Sequence, residues 1–582
     1  MNAADSKSST STSGLEEAAR DRLDRAVADA AAGAEAWARM PLSERTRLIE
    51  DTHRVVRDHA EEWATTASEI KQLDLLSPLV GEEWTSGPYA TLSGFAATAE
   101  SMAGIVAGRS PLSGARFGRA PGNRVTVPVM PHGAKEALLL PGFSAEVWLQ
   151  PGVSAEEAIA EAGLGQRTPG QGGGVGVVLG AGNITAIPPL DVLYEIVAFN
   201  RSVVLKLNPI MGGMQPVFEA ALEPLIRAGM LRIVQGGAAE GSYLVQHPGI
   251  EHVHITGSAA THDAIVWGTG DERERRKEAN EPLLSVPITS ELGGVSPIIV
   301  VPGEWSEEDL RYQAEHVATQ RLHNSGHNCI AGQVVLLSED WDQREAFLHE
   351  LRAALERAPR RPAWYPRSEE RFAAAAETYP DLERFADATR VLVEVDADSP
   401  DASVIETTEY FAPILGVLSV PGTGQRFLDE AVTRANRDLL GTLGANIIVE
   451  PKQRRAMGPA FDESVARLRY GTIGINAWTG LGFLTARATW GAFPGHTLQD
   501  VQSGIGVVHN ALLIDRAERT VVTGPFRPFP RSVMNGELAL FPKPPWFVTA
   551  RSARTTGRLL ADFAGNPSWA KFPAIFLSAF RA

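Results

Sequence analysis

Between Val175 and Gly270, short apolar runs alternate with helical patterns, and that alternation leaves few architectures open. Val175–Leu179 reads as a strand, followed by the turn Gly180-Ala181-Gly182-Asn183 and a helical pattern over 188–200. Residues 202–207 and 231–235 read as the next strands with a helix over 214–228 between them, and 252–256 as a fourth. Strands that alternate with helices need crossovers, so the sheet should be mainly parallel, with a ligand crevice at its strand C-termini. The usual dinucleotide fingerprint, Gly-x-Gly-x-x-Gly, does not follow the first strand. A second α/β block runs from Glu291 to about Gly506, with the charged, proline-marked stretch 357–371 as its least legible part.

At 582 residues the chain exceeds what one compact core holds. Residues 15–67 carry apolar positions at helical spacing and read as two or three surface helices. From 109 to 152 prolines and glycines punctuate apolar runs at 125–129, 137–140 and 145–149, which read as strands, and 154–162 reads as a short helix. The start, Met1 to Gly14, is Ser/Thr-rich, reads as disordered and lacks the apolar core of a signal peptide, so a cytoplasmic location is expected. A formal net charge of −16 argues against wrapping nucleic acid.

One cysteine, Cys329, excludes an intramolecular disulfide. A lone cysteine is by itself most often a small buried hydrophobe. Gly257 and Ser258 open a helix after a strand, where free N–H groups and the helix dipole attract a pyrophosphate; a serine cap gives the same letters. His323 and His327 stand four apart beside Cys329, but no second cysteine or Cys/His pair completes a zinc site, so no metal is expected. His247, His252 and His254 read as a surface loop and strand.

Six segments in fixed order together resemble the aldehyde dehydrogenase superfamily: Gly182-Asn183, Thr256-Gly257-Ser258, Glu291-Leu292-Gly293-Gly294, Asn324-Ser325-Gly326-His327-Asn328-Cys329, Glu409-Tyr410-Phe411-Ala412-Pro413, and Trp490-Gly491 with Ser503-Gly504-Ile505-Gly506. The resemblance covers about 15–515. It implies Cys329 as nucleophile, Asn183 as oxyanion donor with the Cys329 amide, and Glu291 as the base that activates water for hydrolysis. It also implies NAD as cofactor, with NADP left open, bound by Lys206, Gly182, Gly257, Ser258, Leu292, Glu409 and Phe411. The family's aromatic residue before the asparagine is here Gly182, its ribose-binding glutamate is Pro209, and its glycine after the serine is His262. Losing that glutamate removes a repulsion against a 2′-phosphate, and the His262 ring is expected to affect how the cofactor sits.

The resulting expectation is an α/β, aldehyde dehydrogenase-like chain. A Rossmann-type NAD(P)-binding domain would comprise 15–124 and 153–290, a catalytic domain 291–505, and a strand oligomerisation arm 125–152 with 506–525. Through that arm the resemblance implies a homodimer or homotetramer acting on a small aldehyde. Two other readings use the same residues: a coenzyme A-acylating dehydrogenase or acyl-thioester reductase, and a non-catalytic scaffold. The basic, aromatic extension 526–582 lies beyond the family's usual end and reads as packing on the chain's own body or a neighbouring subunit, in preference to a membrane contact.

Overall fold

Val175–Leu179, Ser202–Lys206, Leu231–Val234 and His252–Gly257 are parallel strands, their Val, Ile and Leu side chains largely buried as a sheet covered on both faces requires. In this computed structural model, which describes residues 15–582, they belong to a six-stranded sheet. Its order is Gly504–Ile505, Ile288–Leu292, His252–Gly257, Val175–Leu179, Ser202–Lys206, Leu231–Val234, and Gly504–Ile505 alone is antiparallel to its neighbour. Chain order reverses between Val175–Leu179 and His252–Gly257, so a crevice opens where those two strands end. The expected disordered start, 1–14, lies outside the described residues.

The helix Ile187–Phe199 opens on Pro188 and Pro189, whose missing N–H groups cost nothing in a first turn, and stops at Asn200 with φ +55°. The single helix expected over 214–228 is two, Gln215–Ala221 and Glu223–Arg227. Pro224 has no N–H to donate to Ala220, which breaks the ladder at Leu222.

Among the described residues a second sheet has eleven strands. Its parallel centre holds Thr472–Ile475, Gly444–Ile448, Ser296–Val300, Gly332–Ser338, Ile414–Val420 and Arg390–Asp396. The strands of the expected arm continue it within the same chain: Ala517–Thr523 lies parallel to Thr472–Ile475, and Ser144–Leu149 and Arg124–Met130 add on antiparallel. Of residues 137–140, expected as a strand, 137–139 belong instead to the helix Gly133–Leu139 and Leu140 caps it. Ala, Lys, Glu and Leu all favour helix, and the segment has no neighbouring strand to pair with.

The histidines expected at the surface divide. His247 is partly buried and pairs with Asp24, whereas His252 and His254 sit on the central strand and are 2% and 3% exposed. Burial of such rings demands partners: His252 lies 3.2 Å from Glu195 and His254 3.4 Å from Asp191.

The extension packs on its own chain. Arg527 bridges Asp309 and Glu450 at 3.1 and 3.2 Å, and Phe547 stacks on Tyr312 and His316. Its helix Ala553–Gly565 crosses Val80–Trp84 so closely that Gly557 meets Gly81. Among the described residues no helix is long and apolar enough to cross a membrane.

Candidate active site

The helix Glu307–Leu322 delivers the chain to a tight reversal in which Asn324, Ser325 and Gly326 all have left-handed backbone, φ +53°, +55° and +72°. Only glycine fits at 326, because a Cβ there would stand 2.8 Å from the Ala412 backbone. For Asn324 and Ser325 the conformation is strained and needs outside support. Asn324 receives it: its N–H donates to Glu82 at 2.9 Å, and its carboxamide donates to the carbonyls of Asn183 at 3.2 Å and His327 at 3.0 Å. The reversal places Cys329 just before Gly332–Ser338, beside the crevice of the other sheet.

Three of the expected site residues meet there. The Asn183 amide donates to the His327 carbonyl at 2.9 Å, which fixes its orientation and leaves one N–H free. Glu291, only 1% exposed at the end of Ile288–Leu292, faces the thiol. Burial pushes the Glu291 carboxyl up to about 7, and the Asp191 charge adds to this while the thiol, His254 and Trp490 pull it back. Burial also drives the Cys329 thiol well above its ordinary range, and the neighbouring Glu291 charge drives it further. Cys329 remains partly accessible because it opens into two internal cavities.

The larger cavity, about 580 Å³, fills the crevice at the strand ends. Of the expected cofactor residues, Gly182, Lys206, Gly257, Ser258, Glu409 and Phe411 line it. Leu292 does not; it is buried in the sheet and its N–H donates to Ser503. Ser258 caps the helix Ala259–Trp267, accepting from the Thr261 N–H at 3.2 Å, so that helix start faces the cavity. Lys206 donates to the Leu207 carbonyl at 3.4 Å, and burial holds its pKa below the ordinary lysine value. His262 contradicts its expected effect on the cofactor. Its ring is wholly buried, does not line the cavity, and lies 3.5 Å from Asp263.

Two glycines record how tightly the site is built. A Cβ at Gly182 would meet the Asn208 side chain at 2.6 Å, so any larger residue there requires Asn208 to move. A Cβ at Gly293 would meet the Glu409 carboxylate at 1.8 Å. Glu409 is pushed up to about 7 by burial, against Arg371, the Gly294 N–H and Arg321. Phe411, at φ +46°, packs edge-on against His327 and Tyr365, and its carbonyl accepts from Arg371 at 2.9 Å.

Several participants have no signature in the sequence. Arg371 and Tyr365, from the stretch that was least legible, line the large cavity. Behind Glu291, Asp191 accepts from Thr256 at 3.0 Å and lies 3.0 Å from His509. Burial opposes ionisation of Asp191, but His254 and His509 outweigh it and hold the carboxyl below the usual range. Lone histidines scattered along a sequence do not announce such a cluster.

A Rossmann-type crevice set against a second sheet that carries a thiol, with the six motifs brought to their junction, defines a class. The comparisons with known proteins point to the aldehyde dehydrogenase superfamily. The family model described as "Aldehyde dehydrogenase family" matches residues 173–366. An aldehyde dehydrogenase of Enchytraeus buchholzi is 31% identical over 140 residues, 24% of this chain and 24% of that protein. An aminoacetaldehyde dehydrogenase of Pseudomonas aeruginosa is 29% identical over 245 residues, 39% of this chain. The matched part thus spans about a quarter and 45% of these curated relatives. In fold the chain is similar to a gamma-glutamyl-gamma-aminobutyraldehyde dehydrogenase of Burkholderia cenocepacia, with a TM-score of 0.56 and 19% identity. That similarity covers 86% of this chain and 88% of the other.

Proposed function

We propose that the protein oxidises an aldehyde to a carboxylate with NAD(P)+. The observation that carries this reading is the place of Cys329 at the junction of two cavities, one large and partly polar, the other small and apolar. A thiol so placed meets an aldehyde from one side and a hydride acceptor from the other.

The residues of the large cavity fit a dinucleotide. Its volume is in the range of ligand sites, Lys206 keeps donors free for ribose or phosphate oxygens, and the helix start at Ser258 suits a pyrophosphate. Glu409 and Phe411 would hold the nicotinamide end. Pro209 lines the cavity where a carboxylate would repel a 2′-phosphate, so NADP fits as well as NAD. Bound there, the nicotinamide supplies the acceptor for a hydride.

The chain's own residues do the rest. Glu291 takes the proton as the Cys329 sulfur adds to the carbonyl carbon. The developing oxyanion is held by the free Asn183 N–H and by the Cys329 backbone N–H, which has no backbone acceptor among the described residues. Loss of hydride leaves a thioester on Cys329, and Glu291, once it has passed its proton to solvent, activates water to release the carboxylate and the free thiol. A carboxylate facing the thiol supports hydrolysis over transfer to coenzyme A. Assembly into a homo-oligomer belongs to this reading. A reduced thiol also suits the cytoplasm.

The test is NAD(P)H formation across an aldehyde panel with each cofactor. Wild type is expected to turn over, Cys329→Ala to be inactive, and Asn183→Ala to lose about 10²–10³-fold in kcat. Activity retained by Cys329→Ala would sink the proposal.

A further inference from the structure

The smaller cavity at Cys329, about 40 Å³, is walled by Ile184, Ile187, Ile330, Trp478, Phe483 and Leu484. Polar side chains also reach it, but their hydrogen bonds are made inside the wall. Thr85 donates to the Gly81 carbonyl at 2.9 Å and Ser86 to the Glu82 carbonyl at 2.6 Å. The Asn328 amide is 3.1 Å from both His323 Nδ1 and the His323 carbonyl. The His323 ring packs on Trp478, and burial holds its pKa below the ordinary value, so it is neutral at pH 7.

Charges stand behind this wall, but they cancel. Lys71 pairs with Glu83 at 2.8 Å, and Arg361 pairs with Glu82 and with Glu83. Two cations thus face two anions, all buried. The indole N–H of Trp490 is turned to the Glu291 carboxylate, that of Trp478 has no hydrogen-bond partner among the described residues, and a weak neutral donor suits an uncharged oxygen at most. Glu291 stands at the thiol, on the side of the large cavity; beyond it, a charged tail entering here would lose its water and find neither a counter-ion nor a set of hydrogen bonds.

We propose that this cavity selects uncharged, apolar aldehydes and rejects aldehydes bearing an ammonium or a carboxylate. The proposal rests on the reading of Cys329 as an aldehyde-oxidising nucleophile. It is also a departure from the relative whose name specifies aminoacetaldehyde.

Isosteric pairs test it, because shape is held constant while charge changes. Propanal and aminoacetaldehyde match atom for atom in the heavy-atom chain. We expect kcat/KM to favour propanal by about a hundredfold or more, and an uncharged aldehyde to be favoured similarly over succinic semialdehyde. Equal values within a pair would overturn the proposal. A second arm needs no turnover. Alkylation of Cys329, the only cysteine, is followed by intact mass with iodoacetamide and with iodoacetate, each rate normalised to that of a free thiol. Iodoacetamide should react at least about tenfold faster after normalisation. If no aldehyde is oxidised but this preference holds, the cavity assignment survives and the oxidation reading falls. If both reagents react alike, the cavity assignment falls. Leu484, half-buried in the wall, offers the converse change: Leu484→Arg should shift the kcat/KM ratio toward succinic semialdehyde, and an unmoved ratio would count against selection at this cavity.

Discussion

Glu291 has to be ionised to act as a base, yet burial raises its carboxyl to about 7. Catalysis should therefore rise with pH through about 7, and Glu291→Gln should remove that limb while lowering kcat by about 10²–10⁴-fold. A pH–rate profile of both proteins checks this. Stability should move the opposite way. Because its pKa is raised on folding, Glu291 binds its proton more tightly in the folded than in the unfolded chain between about 4.5 and 7. Its stabilising contribution is complete below that window and disappears as pH rises through it. Glu409, also raised to about 7, acts in the same direction. At pH 8 Glu291→Gln should melt higher than wild type, by on the order of 2–3 kcal/mol in stability, and the gap should close by pH 4.5. Melting curves at several pH values decide it. At this scale the sequence was legible where chemistry fixes the residue type. Cys329, Asn183 and Glu291 converge as expected, whereas Asp191, His254 and His509 could be found only once folding had brought three distant segments behind the base. His262 was misjudged because a sequence position beside a binding turn does not say which way the ring points.

At the scale of elements, the strained reversal at Asn324–Gly326 depends on charges that come from elsewhere. Arg361 donates to the Asn324 side-chain oxygen at 3.0 Å, while Glu82 both pairs with Arg361 and accepts the Asn324 N–H. Arg361 belongs to the segment that was least legible, and the structure shows why: residues 358–367, between the helices Arg344–Arg357 and Ser368–Thr378, pack as irregular chain against the Val80–Trp84 helix and the reversal. Arg361→Gln should leave Glu82 and Glu83 with Lys71 alone, costing about 3–5 kcal/mol, the usual result of breaking a buried pair. Because Asn324 holds the Asn183 and His327 carbonyls, kcat should also fall by about tenfold to a hundredfold with KM little changed. Arg361→Lys, which keeps the charge, should recover part of kcat. A purely structural role would give a lower melting temperature with kcat per folded molecule intact, so both quantities must be measured. Strands with clear boundaries, such as Val175–Leu179, were readable because alternation and turn residues agree there. The helix Gly133–Leu139 was not, since its short apolar run suits either period.

For the whole molecule, residues 526–582 lie beyond the motifs that carry the resemblance, and their contacts give them a definite mechanical role. It is anchored at Arg527 to Asp309, at the start of the helix that leads to the Cys329 reversal. Its helix Ala553–Gly565 then presses on Val80–Trp84, and the next turn, Thr85–Tyr89, contributes Thr85 and Ser86 to the apolar cavity. The crossing depends on two glycines with unequal room. A Cβ on Gly81 would stand 2.4 Å from the Ala553 carbonyl carbon, which is backbone and cannot step aside. A Cβ on Gly557 would meet the Gly81 oxygen and Trp84 Cβ at 3.0 Å, a contact relieved by a shift of a few tenths of an ångström. Gly81→Ala should therefore destabilise by about 1–3 kcal/mol through overpacking, and Gly557→Ala by clearly less, since it gains helix propensity in return. If the extension shapes the cavity wall, Gly81→Ala should also change the ratio of kcat/KM between propanal and longer aldehydes, which a distant loss of stability would leave alone. Melting temperatures that put Gly557→Ala at or below Gly81→Ala would show that the two helices are not in this close crossing. The contribution of the extension to the active site would then have to be sought at Arg527.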